Sequence, residues 1–425
     1  MQRVGFWVCA TMVFASMVGT GVFTSLGFQV GALPSPFVIL VLWGLGGVIA
    51  LCGALSYAEL AAALPRSGGE YHFLGRIYHP ALGVMAGFVS VFVGFSAPIA
   101  LGAIAFGRYI AAAWPAVPPW PASFVVIIGL AAIHSRAVRV SGVVQVAVTS
   151  FKALLILGFI VAGSLAAPGA DFRPQSGDAA LIVSAPFAVS LLFVLYAYSG
   201  WNSAVYIAGE VRNPGRTLPL ALGLATVAVT FLYVALNAVF LASAPAGEFA
   251  GKVEVGQVAA RHLFGEAGGR IMSAVIGLGL ISSLSALTWA GPRVAQTAGQ
   301  DFPALRWFAK TSETGIPHRA LFFQTAIVLG LVATASFEAV LVYAQFALVV
   351  CSLLTVFGLF VLRVREPALS RPFRCPGFPI VPAIFVAGCV FTVIYTCFDR
   401  PIQATAGALT LLAGLGLYFA VRGRK

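Results

Sequence analysis

Two short stretches hold the residues best suited to chemistry. One is Met17-Val18-Gly19-Thr20-Gly21-Val22-Phe23, in the middle of the first long apolar segment. The other is Tyr196-Ala197-Tyr198-Ser199-Gly200-Trp201-Asn202-Ser203, in the middle of a later one. Glycine costs a helix interior about 0.5–1 kcal/mol relative to alanine. Irregular backbone deep in a bilayer survives only where protein or a watery cavity covers it. Each stretch therefore reads as an interrupted helix. At such a break one half-helix presents free N–H groups and a partial positive charge, which suit a carboxylate. The opposed half-helix ends in free carbonyls, which suit an ammonium. Gly19 and Gly21 allow close approach, and Thr20, Ser199 and Asn202 add hydroxyl or amide groups. Such a site holds a zwitterion without any charged side chain. The competing reading of each glycine is close helix packing of the small-xxx-small type.

The elements that must position these stretches are apolar helices. The 425 residues are 60% hydrophobic and 9% charged, with a mean hydropathy of +0.98, against roughly 25% charged residues in soluble chains. The composition indicates a single polytopic membrane domain embedded in a lipid bilayer. Twelve spans are expected near residues 5–31, 37–63, 82–110, 123–133, 143–166, 181–208, 218–242, 271–294, 321–335, 340–362, 380–398 and 402–421. The segment 64–80 reads as a polar, turn-rich connection, and 243–266 as a loop with room for a surface helix.

The net charge of +12 does not point to nucleic acid, because the basic residues sit in short clusters between apolar runs. Eighteen of the 25 Lys and Arg residues fall on one side of a twelve-span topology, Arg3, Arg139, Arg422, Arg424 and Lys425 among them. Six fall on the other. By the positive-inside rule both termini are expected in the cytoplasm of a multi-pass plasma-membrane protein. The six cysteines form no CxxC pair, and most lie in apolar runs, which suits buried thiols better than disulfides. The five histidines lack metal-ligand spacing, and neither metal nor cofactor is expected. No nucleophile and base share a membrane depth, so an enzyme is not expected. A channel would leave the paired breaks unexplained, and a receptor seldom has twelve spans.

The interrupted spans are the first and the sixth. They lie five spans apart, an odd number, so the two copies enter the membrane from opposite sides. That is the pattern of an inverted-topology repeat, found in secondary transporters with substrate sites at discontinuous helices. The expected units are residues 1–166, residues 180–364, and two C-terminal helices at 378–421.

Lys152 is the only cation well inside a span, where a lysine costs at least about 2.5–3.5 kcal/mol. Nine residues from the span's start, it is too deep to snorkel easily at 1.5 Å per residue. A lysine there suits proton cycling. No acidic residue lies deep in spans 1, 3, 6, 8 or 10; Glu59, Glu210 and Glu338 lie near predicted ends. A cationic side chain buried there would lack a counter-charge, which favours a neutral substrate. Arg66, Glu70, Glu210, Arg212 and Arg293 fall at the predicted cytoplasmic edge and are candidates for a gate network; solvated surface charges are the alternative.

These stretches resemble the amino acid–polyamine–organocation transporter family, which has the LeuT-like fold. Val18-Gly-Thr-Gly-Val-Phe23 is similar to that family's Gly-Ser-Gly-Ile-Phe motif. Tyr57-Ala-Glu-Leu60 with Pro65-Arg-Ser-Gly-Gly-Glu-Tyr71 resembles its second-helix and loop signature. Tyr198-Ser-Gly-Trp-Asn202 followed by Gly209-Glu-Val-Arg-Asn-Pro214 resembles its sixth-helix signature, and Ala290-Gly-Pro-Arg293 its eighth-helix end. Thr20 stands where a serine is common, and Gly209-Glu210 where two acids are frequent. The resemblance implies an all-α protein of twelve helices, a 5+5 inverted repeat with helices 1 and 6 discontinuous and helices 11–12 appended. It implies that backbone at Gly19, Thr20 and Gly21 binds a substrate carboxylate. Backbone at Tyr196, Ala197 and Ser199, beside Gly200 and Asn202, would bind the α-amino group, with Tyr198 or Trp201 shaping the side-chain pocket. It also implies that Lys152 occupies the place where sodium-coupled relatives of the fold hold a cation, partnered by span 1 carbonyls and Ser282, Ser283 or Ser285. The resulting expectation is a sodium-independent, proton-coupled permease for neutral L-amino acids, as a monomer or homodimer. A cationic amino acid or polyamine exchanger is the alternative.

Overall fold

The computed structural model describes residues 4–136, 142–301, 306–312, 315–334 and 336–422, with the side chains of 142–148, 301 and 421–422 left aside. Arg3, Arg139, Arg424 and Lys425, counted above, lie outside the described residues.

Among the described residues the regular structure is helical. The order is α1 (Phe6–Met17), α2 (Gly21–Thr24), α3 (Leu26–Gln29), α4 (Pro36–Ala63), α5 (Gly69–Ile77), α6 (Pro80–Val89), a π-helical turn (Ser90–Phe95) and α7 (Ser96–Ala113). Next come α8 (Pro119–His134), α9 (Gly142–Ala166), α10 (Asp178–Ile182), α11 (Ala185–Tyr198), a 3₁₀ segment (Ser203–Glu210), α12 (Pro214–Ser243) and α13 (Ala246–Phe249). The chain ends with α14 (Val255–Asp301), α15 (Arg306–Ala309), α16 (His318–Thr334), α17 (Phe337–Arg365), α18 (Ile380–Asp399) and α19 (Pro401–Arg422). Ten helical stretches are long and apolar enough to cross a membrane, and Pro119–His134 and His318–Thr334 are shorter apolar helices.

Several boundaries differ from expectation. The connection 64–80 contains α5, entered through Gly68 at φ +126°. It buries Glu70, Phe73, Leu74 and Ile77, so apolar contact rather than turn composition decides its structure. The expected sixth span starts at α11, whose N-cap Ser184 accepts from the Phe187 N–H through its hydroxyl, and α10 is a separate short helix before it. The segment 243–266 forms α13 and the first part of α14, and the chain turns at Gly265, φ +74°.

Helix α12 packs along α4 and α1, and α14 packs along α7. Long apolar helices leave lipid-facing residues such as Phe231, Leu165 and Phe398 exposed, while Trp43, Tyr57, Tyr109, Tyr198 and Tyr233 are fully buried. Buried tyrosines need partners for their hydroxyls. Tyr109, Tyr198 and Tyr233 donate their hydroxyls to backbone carbonyls of other helices, and Tyr57 donates to a carboxylate.

Candidate functional site

The first interruption is a local consequence of sequence. Helix α1 stops at Met17, and Val18 adopts φ −76°, ψ +79°. Helical angles resume at Thr20, and Ser25 also has helical angles, so Gly21–Gln29 runs on as one helical stretch. The first amides of that stretch have no carbonyl one turn behind them. Behind the break, the Gly19 N–H donates to Met17 O at 2.8 Å. The Tyr233 hydroxyl of α12 donates to the same carbonyl at 2.6 Å. Beyond it, Tyr109 Oη donates to Phe23 O at 2.8 Å and accepts from the Gly256 N–H at 3.1 Å.

The second interruption follows α11. Ser199 takes φ −56°, ψ +146°, and Gly200 has φ +104°, a left-handed value open to glycine. The chain then winds into the 3₁₀ segment.

The two breaks meet. A Cβ on Gly200 would lie 2.7 Å from the Ser16 backbone, and one on Gly21 would lie 2.4 Å from Ala197 Cα. Glycine at these two positions is what lets the interrupted helices touch. Gly19 differs: a Cβ there would meet only Met17 O, at 3.9 Å. Across the junction Thr20 Oγ1 and Tyr196 Oη share a hydrogen bond of 2.8 Å.

Lys152 lies beside this junction. Its Nζ donates to Ser283 Oγ at 2.5 Å. Lys152, Gly19, Val18 and Gly279 line one small cavity between α1, α9 and α14. Of the three serines singled out on α14, Ser283 meets Lys152. Ser285 instead pairs with His134 Nε2 at 2.8 Å, and Ser282 makes neither contact.

The remaining residues of the second stretch point elsewhere. Tyr198 donates to Trp43 O at 3.1 Å and packs on Trp43 and Tyr233. Trp201 packs edge-on to Tyr57 at 4.8 Å and on Phe385 at 5.8 Å. Tyr196, rather than either of these, contacts Thr20. Asn202 donates to Glu70 Oε1 at 3.4 Å, away from the junction.

Glu70 is buried and is met by neutral groups. Its Oε1 accepts from Tyr57 Oη at 2.7 Å, Ser352 Oγ at 3.0 Å and Asn202 Nδ2. Its Oε2 lies 3.4 Å from Tyr206 Oη. Burial pushes the Glu70 carboxyl above its ordinary value, and the hydroxyl contacts oppose that shift in part. Arg66 acts on His72 instead: burial, then the charges of Arg66 and Arg76, hold that imidazole below its usual value. Glu210 and Arg212 contribute backbone, where the Val4 N–H donates to Glu210 O and the Arg212 N–H to Val4 O, both at 2.9 Å. The Arg293 guanidinium lies 3.8 Å over the Trp289 ring. The five charged residues thus do not gather into one cluster.

A firmer ion pair lies nearby. Glu59, fully buried, receives Arg363 Nε at 2.9 Å, Arg363 Nη2 at 2.7 Å and the Cys375 N–H at 2.6 Å. Sequence reasoning took Glu59 only as an acid near a span end. Tyr57, Tyr206, Tyr233 and Ser352 were missed as partners; Tyr57 lay within a motif, but nothing in local sequence marks the other three.

A bundle of long apolar helices with two facing interruptions at its centre defines a multi-pass membrane transporter. The family described as Amino acid permease matches residues 4–419. The chain belongs to that family, and it is not an enzyme. It is 26% identical to the Serine/threonine exchanger SteT of Bacillus subtilis, covering 100% of this chain and 98% of the relative. It is 25% identical to the mouse b(0,+)-type amino acid transporter 1, covering 98% and 87%. It is 26% identical to the human Cystine/glutamate transporter, covering 96% and 83%.

Proposed function

We propose that this chain is a sodium-independent, proton-coupled secondary transporter for neutral L-amino acids, working by alternating access in the plasma membrane with both termini cytoplasmic. The twelve apolar helices form a LeuT-like 5+5 inverted repeat plus two further helices. The observation that carries the reading is the junction itself: Gly21 against Ala197 and Gly200 against Ser16, with Gly19 open beside it. The amides at Thr20 and Gly21, at a helix start that is electropositive, take the substrate carboxylate, and the Gly19 N–H joins them by exchanging its bond to Met17 O for the carboxylate. The carbonyls that end α11, at Ala197 and its neighbours, take the α-amino group. Thr20 and Tyr196 tie the halves together, and Tyr233 fixes the carbonyl at Met17.

Lys152 supplies the coupling. Its ammonium stands in the cavity that reaches Gly19, anchored on Ser283, so its charge state biases the first helix. No glutamate or aspartate touches the junction among the described contacts, which supports a neutral side chain. Obligatory exchange is a second mode, favoured by the printed name of the Bacillus relative.

The test is a panel of labelled amino acids in proteoliposomes, each with and without a pH gradient and with sodium replaced by choline. Saturable uptake of neutral amino acids, accelerated by the proton gradient and indifferent to sodium, is the expected result. Better displacement by lysine or putrescine than by any neutral amino acid refutes the substrate reading.

A further inference from the structure

The Glu70 cage ties four separate elements to one carboxylate. Tyr57 comes from α4, Glu70 from α5, Asn202 and Tyr206 from the chain after the second break, and Ser352 from α17. Around it the Gly68 N–H donates to Tyr206 O at 3.3 Å, and the Gly209 N–H to Ser67 Oγ at 3.2 Å. This is the end of the bundle assigned to the cytoplasm, just beyond the junction. Parting α5 from the segment after α11 at this end would break these contacts and with them the cage.

The donors are unevenly shared. Three crowd Oε1, while among the described residues Oε2 has only the Tyr206 hydroxyl, a group that accepts as readily as it donates. The geometry leaves Oε2 as the oxygen that can carry a proton and donate it to Tyr206. The titratable groups facing Glu70 are Tyr57 on α4, Tyr206 on the 3₁₀ segment and Cys351 on α17. Ser352, on α17, and Asn202 are neutral. Among the described residues no cation is among the groups that act on Glu70. A buried carboxylate without a counter-cation is costly, and a proton on it removes that cost.

We propose that Glu70 is a protonatable latch of the cytoplasmic gate: it holds a proton on Oε2 while caged, and loses it to water when α5 separates from the 203–210 segment. This rests on the carrier reading above and deepens it, adding a gate-linked proton site distinct from Lys152. Burial raises the affinity of the caged carboxyl for a proton. The shut gate therefore binds the proton more tightly than the open one. By linkage, low pH favours the shut gate, and opening becomes easier as pH rises through the caged value.

The experiment is counterflow of labelled L-serine in proteoliposomes with equal pH on both faces, for the full chain and variants, alongside L-serine binding in detergent. The wild type is expected to exchange at least about threefold more slowly near pH ~5.5 than near pH ~8, since a population shift of that size needs only a small differential proton affinity. Glu70→Gln fixes the neutral form, so its rate is expected to stay low and flat across that range while binding persists. Tyr206→Phe, which removes the Oε2 partner but leaves Oε1 fully engaged, is expected to move the midpoint of the profile and keeps the test open should Glu70→Gln not fold. A wild-type profile retained in both variants overturns the latch, as does a flat wild-type profile. A profile abolished by Lys152→Ala and untouched by Glu70→Gln assigns the proton to Lys152 alone and likewise overturns it. Failure of the wild type to bind or exchange any of the amino acids in the panel would instead sink the carrier reading itself.

Discussion

Replacing Gly19 and Gly21 separately by alanine discriminates a binding role from a packing role. At Gly21 the added methyl would lie 2.4 Å from Ala197 Cα and 2.7 Å from Ala197 Cβ. The closer contact is backbone within a helix, so the methyl cannot be accommodated by a side-chain rotation, and the two half-helices must separate. Overpacking of this kind typically costs about 1–3 kcal/mol. A Gly21→Val variant would suffer more, so its loss of binding would not isolate the amides. Gly19→Ala is the clean perturbation, because its methyl would meet only Met17 O at 3.9 Å. It is expected to melt with the wild type yet bind substrate at least tenfold more weakly, about 1.4 kcal/mol, because the methyl stands where the carboxylate approaches the amides. The assay is thermal unfolding in detergent for both variants, with equilibrium binding, on the folded fraction, of the amino acid that the uptake panel shows the wild type to carry. Wild-type affinity in Gly19→Ala would refute the idea that this backbone is approached by substrate. An unchanged melting temperature in Gly21→Ala would refute the contact between the two breaks.

Three further outcomes are expected. Glu59→Ala strands Arg363 and the Cys375 amide, and should destabilise the protein by about 3–5 kcal/mol, as breaking one side of a buried pair does; thermal unfolding reports it. Tyr233→Phe frees the Met17 carbonyl from a 2.6 Å hydrogen bond, costing about 0.5–1.5 kcal/mol and weakening substrate affinity, read by the same binding measurement. Lys152→Ala should abolish the stimulation of uptake by a proton gradient while leaving exchange at equal pH on both faces, and unchanged stimulation would remove Lys152 from the coupling step.

Much of the architecture was legible because membrane helices announce themselves by length and apolarity. The interruptions were legible too, since Gly19-Thr20-Gly21 and Ser199-Gly200 oppose helix formation locally. The gate was not. Arg66, Glu70, Glu210, Arg212 and Arg293 share a predicted edge, and opposite charges there suggest ion pairs. In the structure Glu70 is caged by hydroxyls and an amide, and Glu210 and Arg212 act through their backbone. Such partners come from positions separated by up to 282 residues. Neutral hydroxyls carry no pattern in sequence by which to choose among them. Helix α5 escaped for a related reason: glycine and polar residues dominate its sequence start, while its burial is supplied by other helices.

The sequence alone determined that this is a polytopic membrane protein with two interrupted helices and one deeply placed lysine, because hydropathy and glycine act over short distances along the chain. Tertiary structure decided which glycines are contacts and which one is open. It also decided that Ser283 rather than Ser285 meets Lys152, and that Tyr196 rather than Tyr198 or Trp201 meets Thr20. Those choices depend on helix rotation and depth, set by packing among α1, α4, α11, α12 and α14. A residue's face follows from its own helix, but the partner opposite that face belongs to another.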